Sequence, residues 1–242
     1  MLNLKNCTFA IPFFPDSEER IENIKCILRF LTDNFDTRIL VVEQNSQPTD
    51  SVMFFGNGVK YQLIKAEVGE GFIFHRTRII NEGIKRVSTP YFCNYDTDVI
   101  FQPQQLVRSV ELLHEGAQVV YPYSGDFVDI ERDDYLKNGT IRERESFAVD
   151  SKGGAVFMNT KDYVAAGMEN EFLYGHAPED MERWHRLSTL GYRIARTEGK
   201  CWHIMHERGA QNPHNEKNMA EFEKVKAMGK EELMEYIKTW KW

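Results

Sequence analysis

Residues 91–101 join a strand-like apolar run to two carboxylates that stand one residue apart. Residues 91–95 are mostly aromatic or apolar, which favours a buried β-strand. Asp96 and Asp98 then interrupt the run before Val99 resumes it. Two acids between apolar flanks are costly to bury unless a positive charge compensates them. The stretch therefore predicts a buried strand that ends at an anionic site.

Asp96-Thr97-Asp98 allows two interpretations when it is taken alone. Ligands of α/β folds collect at the carboxyl ends of strands, and hard oxygen ligands suit Mg²⁺ or Mn²⁺ that holds a diphosphate. The alternative is a surface turn in which the aspartate side chains cap the local backbone. The motif does not decide between the two, so the decision depends on the rest of the chain.

The first hundred residues alternate between strand and helix patterns. Strands are predicted at residues 7–14, 38–44, 60–65 and 91–101, and helices follow the first of them and cover residues 71–87. Asp16 and Glu19 fit a capping box before the first helix. This order predicts an α/β fold, with a mixed, mainly parallel sheet flanked by helices in a single domain.

The second half is less regular. A helix is expected after Pro103, and strands are predicted at residues 118–122, 153–158, 192–195 and 201–205. Residues 124–150 lack a clear period and are predicted to form a long loop, which we assign to the acceptor side. Gly153 and Gly154 precede a strand, which indicates close backbone approach. Residues 216–242 form an amphipathic helical tail.

Composition excludes several classes of protein. The formal net charge is -7, which argues against a nucleic-acid binder. No segment approaches the ~20 apolar residues of a membrane helix, and no signal peptide is evident. Three of the four cysteines lie in apolar stretches and are predicted to be core thiols, and since the cysteines form no C-x-x-C pair, a reducing compartment is the simpler inference. We expect a cytoplasmic protein, and peripheral association with the inner face of a membrane stays open.

His203 and His206 follow a predicted strand and are three residues apart. Neutral imidazoles together with carboxylates form a mixed oxygen and nitrogen site that suits Mn²⁺ better than Mg²⁺. Cys201 with both histidines fits a zinc site instead, although a second cysteine is not near in sequence. Each histidine also fits an ordinary hydrogen-bonded, half-buried residue.

Glu179 and Asp180 stand at the start of a predicted helix, after an aromatic loop that contains glycine. A carboxylate in this position can accept a proton from a bound hydroxyl. Acidic residues are also common in the first turn of a helix because they interact favourably with its dipole. The sequence alone leaves both roles open.

These residues resemble the GT-A-fold glycosyltransferases, in particular the β-1,4-galactosyltransferase-like family and bacterial capsule or polysaccharide glycosyltransferases. The similarity follows the same order along roughly residues 9–215, and its segments are residues 10–13, 41–44, 74–83, 96–98, 153–158, 174–180 and 201–206. Asp96-Thr-Asp98 resembles the family's D-V-D metal motif. Residues 174–180 resemble W-G-W-G-G-E-D, and residues 201–206 resemble C-x-M-x-x-H.

The resemblance implies roles for particular residues. It places Asp98 and His206 on Mn²⁺ (or Mg²⁺), with Asp96 and His203 as further candidate metal ligands. It assigns the catalytic base to Asp180 and an acceptor contact to Glu179. The residues expected to contact the UDP-sugar donor are Pro12, Glu43, Arg76, Asp96 and Gly154.

The implied fold is a Rossmann-like GT-A domain over residues 1–215, with a nucleotide-sugar half at 1–101 and an acceptor half at 102–215. The tail at 216–242 is expected to pack on this domain. The implied activity is metal-dependent, inverting transfer of a hexose from a UDP-sugar to a glycan or lipid-linked glycan in capsule or surface polysaccharide synthesis. The alternatives are a sugar-phosphate nucleotidyltransferase and a non-catalytic sugar-binding GT-A domain.

The chain departs from the family pattern at three places. His176 replaces the tryptophan of the acceptor loop, and Ala177-Pro178 replaces its glycine pair. These changes put acceptor identity in question. His203 replaces the methionine of the metal segment, which makes the ligand set harder and bears on metal preference.

Overall fold

The computed structural model describes residues 1–56, 58–176, 178–206 and 213–242, with the side chains of residues 145–147 left aside. Ala177 therefore lies outside the described residues. The elements in chain order are β1 (Leu2–Phe13), α1 (Glu18–Asn34), β2 (Phe35–Asn45), α2 (Asp50–Met53), β3 (Val59–Lys65), α3 (Arg76–Ile84), β4 (Tyr91–Tyr95), β5 (Val99–Ile100), α4 (Pro103–His114), β6 (Val119–Tyr121), β7 (Phe127–Ile130), α5 (Arg132–Asn138), β8 (Glu143–Ala148), β9 (Ala155–Asn159), α6 (Thr160–Ala165), α7 (Glu179–Leu190), β10 (Ile194–Arg196), β11 (Cys201–Ile204), α8 (Asn215–Ala227) and α9 (Lys230–Lys238).

A seven-stranded sheet forms the centre of the molecule in the order β10-β6-β9-β4-β1-β2-β3. β9 runs antiparallel to both of its neighbours, and the other pairs are parallel. β4 is buried along its whole length, as its apolar sequence predicts for a central strand. The predicted α/β fold with a mainly parallel sheet flanked by helices is therefore confirmed.

A second, four-stranded sheet has the order β5-β11-β7-β8. The prediction of a long loop at residues 124–150 is wrong, because this segment contains β7, α5 and β8. β7 alternates between partly and fully buried residues, but four residues are too few to stand out as a period. β8 lies at the sheet edge, where its charged residues are tolerated and conceal the strand pattern.

Two helix starts differ from the prediction. The N-cap of α1 is Ser17, whose side chain accepts a hydrogen bond from the backbone N–H of Arg20. Asp16 binds the Arg20 side chain instead (2.8 Å), so it is not the predicted cap. The helix predicted at residues 71–87 spans only Arg76–Ile84, and Gly71, with a φ of 77°, lies in the left-handed region that an α-helix does not contain.

The C-terminal tail consists of two helices, α8 and α9, that contact α7. Trp240 lies against the buried guanidinium of Arg186, with 5.2 Å between Cζ and the ring centroid. The indole N–H of Trp242 donates to the Gly167 carbonyl at 3.0 Å. Gly167 has a φ of 88°, and a Cβ there would lie 2.6 Å from Ile237. The end of the chain is therefore packed closely on the body of the domain.

None of the helices in the described ranges combines the length and the apolar character that a membrane crossing requires.

Gly167→Ala should destabilise the protein more than Gly139→Ala. Both glycines have left-handed φ angles, but a Cβ at Gly139 meets nothing within 4 Å, whereas one at Gly167 collides with α9. We expect Gly167→Ala to lower the free energy of unfolding by about 1–3 kcal/mol more than its control. Urea denaturation measures the difference, and equal losses would contradict the packing described for α9.

Candidate active site

Strand pairing brings the predicted metal residues together. β5 pairs antiparallel with β11, so that Val99 faces His203. The backbone N–H of Ile204 donates to the Asp98 carbonyl at 2.7 Å. Residues about a hundred positions apart in sequence are thereby fixed beside the carboxyl end of β4. The site lies where the central sheet meets the second sheet.

Asp98, His203 and His206 place one ligand atom each within 4.8 Å of one another, the one such group found in the described part of the chain. His206 Nε2 lies 3.1 Å from Asp98 Oδ2. Arg20 Nη1 lies 3.2 Å from the same oxygen. Burial alone would raise the pKa of the Asp98 carboxyl, but the His206 hydrogen bond and the charges of His203 and Arg20 lower it to about 2. Asp98 is therefore an anion at neutral pH.

The donor set fits a divalent first-row cation. One carboxylate oxygen and two imidazole nitrogens form the mixed set that suits Mn²⁺. His203 Nδ1 lies 2.8 Å from Asp129 Oδ1 on β7, a carboxylate contact that orients metal-binding histidines and leaves Nε2 as the ligand atom. The zinc alternative loses support, because Cys201 lies outside the group in the described residues, and its Sγ is 3.0 Å from the Cβ position of Gly154.

Arg76 joins the end of β4 to the start of α7. Its Nη2 donates to Asp96 Oδ1 at 2.6 Å, and its Nε lies 3.1 Å from Glu179 Oε1. Asp96 thus pairs with Arg76 and stands outside the group formed by Asp98, His203 and His206. Burial raises the pKa of the Asp96 carboxyl, with Arg76 acting in the opposite direction.

Glu179 is buried in the first turn of α7. Burial raises the pKa of its carboxyl to about 7, and the neighbouring Asp180 charge adds to the rise. The charge of Arg76 opposes this rise without cancelling it. Glu179 therefore exchanges a proton close to neutral pH.

Asp180 is held from one side and open on the other. Arg183, itself buried, donates to Asp180 Oδ1 and to Glu169 Oε1, the latter at 2.8 Å. Asp180 Oδ2 lies 3.0 Å from where a Cβ of Gly153 would be. The side chain is 25% exposed, the largest exposure in this group of acids. A fixed, partly exposed carboxylate meets the geometric requirement for a proton acceptor.

Three of the residues predicted to contact the donor are enclosed by protein atoms in this structure, namely Pro12, Glu43 and Gly154. Pro12 is buried in β1 opposite Val42. Glu43 is fully buried, and its carboxylate accepts hydrogen bonds from Asn45 (2.8 Å), Thr49 (2.8 Å) and Tyr61 (2.5 Å). It therefore organises the segment after β2 and does not present an open carboxylate.

Gly154 has a φ of 81°, and its Cβ position lies 3.1 Å from Phe127 and 3.4 Å from Val99, as well as close to Cys201. Protein side chains thus account for the close backbone approach that the glycine pair predicts.

Sequence reasoning missed three residues of the site. Arg20 contacts Asp98 from α1, and Asp129 orients His203 from β7, which lies in the segment that the sequence predicts to be a loop. Arg183 stands three residues after Asp180, a helical spacing that brings side chains together and would have identified it.

No protein-family model matches the chain, and no curated protein matches its sequence. Solved structures match its shape. A mannosyltransferase from Pyrobaculum calidifontis, solved with GDP-Man and Mn²⁺, aligns over 84% of this chain at 13% identity and a TM-score of 0.54, and the chain spans 58% of that protein. The catalytic domain of Drosophila β1,4-galactosyltransferase 7, solved with xylobiose, aligns over 91% of this chain and 80% of its own at 17% identity and a TM-score of 0.53.

A mutant of the same Drosophila enzyme, solved with manganese, UDP-Gal and xylobiose, gives 90% and 79% coverage, 16% identity and a TM-score of 0.53. Identities this low show the fold alone. The chain has the GT-A glycosyltransferase fold, which confirms the fold expected from the motifs.

The stability of the protein should depend on pH through Glu179. The ordinary pKa of 4.5 is raised to about 7 in the folded state, so the folded protein favours the neutral carboxyl. This stabilising contribution is complete below about pH 4.5 and is lost as the pH rises through about 7. Between about pH 5 and about pH 8, the wild type should lose on the order of 1–3 kcal/mol more than Glu179→Gln.

Urea denaturation across this pH range measures the effect. Glu231→Gln, at an exposed position in α9, is the control and should follow the wild type. Parallel pH profiles for the wild type and Glu179→Gln would contradict the prediction.

Proposed function

We propose that this protein is a metal-dependent, inverting hexosyltransferase that moves a sugar from a UDP-sugar to a hydroxyl of a glycan or lipid-linked glycan. The observation that carries the proposal is the joint placement of two groups on a GT-A fold. Asp98, His203 and His206 form a cation-binding set, and Glu179 and Asp180 form an acidic pair joined to the end of β4 through Arg76.

The donor side would be organised by charge. Asp98, His203 and His206 would hold Mn²⁺ or Mg²⁺, which supplies positive charge for the diphosphate of the leaving nucleotide. Arg76 is half-buried between the end of β4 and the start of α7, and it is positioned to steady the same phosphates. The solved neighbours with GDP-Man and Mn²⁺, or with UDP-Gal and manganese, support a nucleotide-sugar donor.

The acceptor side would be organised around Asp180. Arg183 immobilises Oδ1, so Oδ2, which faces Gly153, is the oxygen available to take the proton of an acceptor hydroxyl. The deprotonated hydroxyl attacks the anomeric carbon from the face opposite the departing diphosphate, which inverts the configuration in one displacement. The neighbour solved with xylobiose supports a saccharide acceptor. We assign the product to capsule or surface polysaccharide synthesis.

Binding of UDP should require the metal ion. At a UDP concentration about 100 times its Kd, a ligand specific for the folded state adds about 2.7 kcal/mol of stability. A thermal-shift titration with UDP should show this gain with Mn²⁺ and lose it with EDTA. Asp98→Asn should lose the gain, because it removes the anionic ligand.

Asp133→Asn, at an exposed carboxylate of α5, is the matched control and should keep the full shift. A UDP shift that is insensitive to both EDTA and Asp98→Asn would show that the cation site takes no part in donor binding. The absence of any shift with UDP or other nucleotides would favour the non-catalytic sugar-binding domain.

Asp180→Asn should separate binding from chemistry. The amide keeps the size of the side chain but cannot act as a base, so transfer should fall by about 10²–10⁴-fold while the metal-dependent UDP shift persists. Product formation from UDP-sugars and a saccharide acceptor measures transfer. Loss of both transfer and UDP binding would refute the proposed role of Asp180. Unchanged transfer would assign the role of catalytic base to Glu179 instead.

A further inference from the structure

We propose that Trp184, Lys152 and Arg196 form an acceptor subsite that binds an anionic group, either a carboxylate or a phosphate, carried by the acceptor glycan. The inference rests on the proposed function and extends it by naming the chemical class of the acceptor. Its basis is a pair of cations that lie over one partly exposed tryptophan beside the proposed base.

The subsite adjoins Asp180 from two directions. Trp184 follows Asp180 by four residues in α7, and side chains at this spacing lie on the same face of a helix, about 5–6 Å apart at Cβ. Lys152 precedes Gly153, whose Cβ position is 3.0 Å from Asp180 Oδ2. A sugar next to the one whose hydroxyl reacts would therefore lie within reach of Trp184 and Lys152.

Aromatic rings hold both cations in place before any ligand arrives. Lys152 Nζ lies 5.1 Å from the Trp184 ring centroid, and Arg196 Cζ lies 5.0 Å from it. Arg196 also lies over Tyr121 (5.2 Å) and Tyr123 (5.6 Å). Cations over aromatic faces are stabilised by the ring quadrupole, and their side chains lose little further entropy when a ligand binds.

Asp150 shows that the cation pair accepts a carboxylate. Its side chain contacts Lys152 Nζ at 2.5 Å and Arg196 Nη2 at 3.3 Å. It is 76% exposed and has a φ of 56°, which is uncommon for a residue other than glycine. Because the Asp150 side chain is exposed, a ligand can displace it from the cations. Lys152 and Arg196 together carry two positive charges and Asp150 carries one negative charge, so the three side chains have a net charge of +1. The pair therefore has the capacity to take an anion from the ligand.

Two cations on a partly exposed tryptophan match an acidic sugar. The carboxylate or phosphate of the sugar forms charge-assisted hydrogen bonds with Lys152 and Arg196, and the sugar ring contacts the exposed part of Trp184. A neutral sugar makes only the ring contact. Because the chain as a whole carries a net charge of -7, attraction of the anion depends on this local pair.

The test compares probes that differ in one group. Methyl β-D-glucuronide and methyl β-D-glucoside differ only at C6, which is a carboxylate in the first and a hydroxymethyl group in the second, and methyl β-D-glucoside 6-phosphate carries a phosphate on the C6 oxygen. Their affinities are measured by ligand-observed NMR titration of the protein saturated with UDP and Mg²⁺. The wild type should bind at least one charged probe about five- to tenfold more tightly than the glucoside. The stronger of the two identifies the source of the anion.

Two variants should move this preference in opposite directions. Lys152→Gln should abolish it, because one cation is lost. Asp150→Asn should strengthen it, because asparagine tolerates the left-handed backbone but no longer competes for the cations. Lys161→Gln, at an exposed lysine of α6, is the control and should behave as the wild type does.

Equal affinity of the wild type for the charged and neutral probes would overturn the subsite, as would a preference that survives Lys152→Gln. If the contacts of Asp150 only stabilise the loop, both Lys152→Gln and Asp150→Asn lower the melting temperature without changing the preference, which also overturns it. The metal-dependent UDP shift distinguishes a failure of the proposed transferase function from a failure of the acceptor subsite alone. Its absence from the wild type refutes the proposed transferase, whereas its presence without a charge preference refutes the subsite alone.

Discussion

Pairing of the site's buried and half-buried carboxylates with arginine is the interaction on which the rest of the site depends. Arg76 neutralises Asp96 and Glu179 across the junction between β4 and α7, and Arg183 neutralises Asp180 from within α7. Breaking a buried pair by removing one partner is strongly destabilising, because it leaves an uncompensated charge. The arginines therefore hold these acids in fixed positions, and burial gives Glu179 a pKa near neutral pH.

Each of the two sheets contributes part of the site. The central sheet contributes the end of β4, while the small second sheet contributes His203 on β11 and, through Asp129 on β7, fixes the orientation of that histidine. The C-terminal helices anchor the loop before α7, because Asn218 of α8 exchanges two hydrogen bonds with the backbone of Tyr174. The loop before α7 is thus tied to the body of the domain.

Much of the fold follows from local pattern. The buried run of β4, the apolar stripe of α1 and the proline that opens α4 are local signals, and each predicted its element. The sequence pattern did not predict strands that are short or that lie at the edge of a sheet. β7 is too brief to show a period, and β8 hides its strand character behind charges that an edge position tolerates.

The sequence by itself determined which residue types the site contains, because Asp98, His206 and Asp180 stand in recognisable spacings at predicted element ends. Only the tertiary structure decided which of them meet. Asp96 pairs with Arg76 and lies outside the group formed by Asp98, His203 and His206, whose members come from distant parts of the chain. Local spacing predicts helices, strands and their ends, whereas contacts between side chains far apart in sequence depend on strand pairing and on the balance of buried charge.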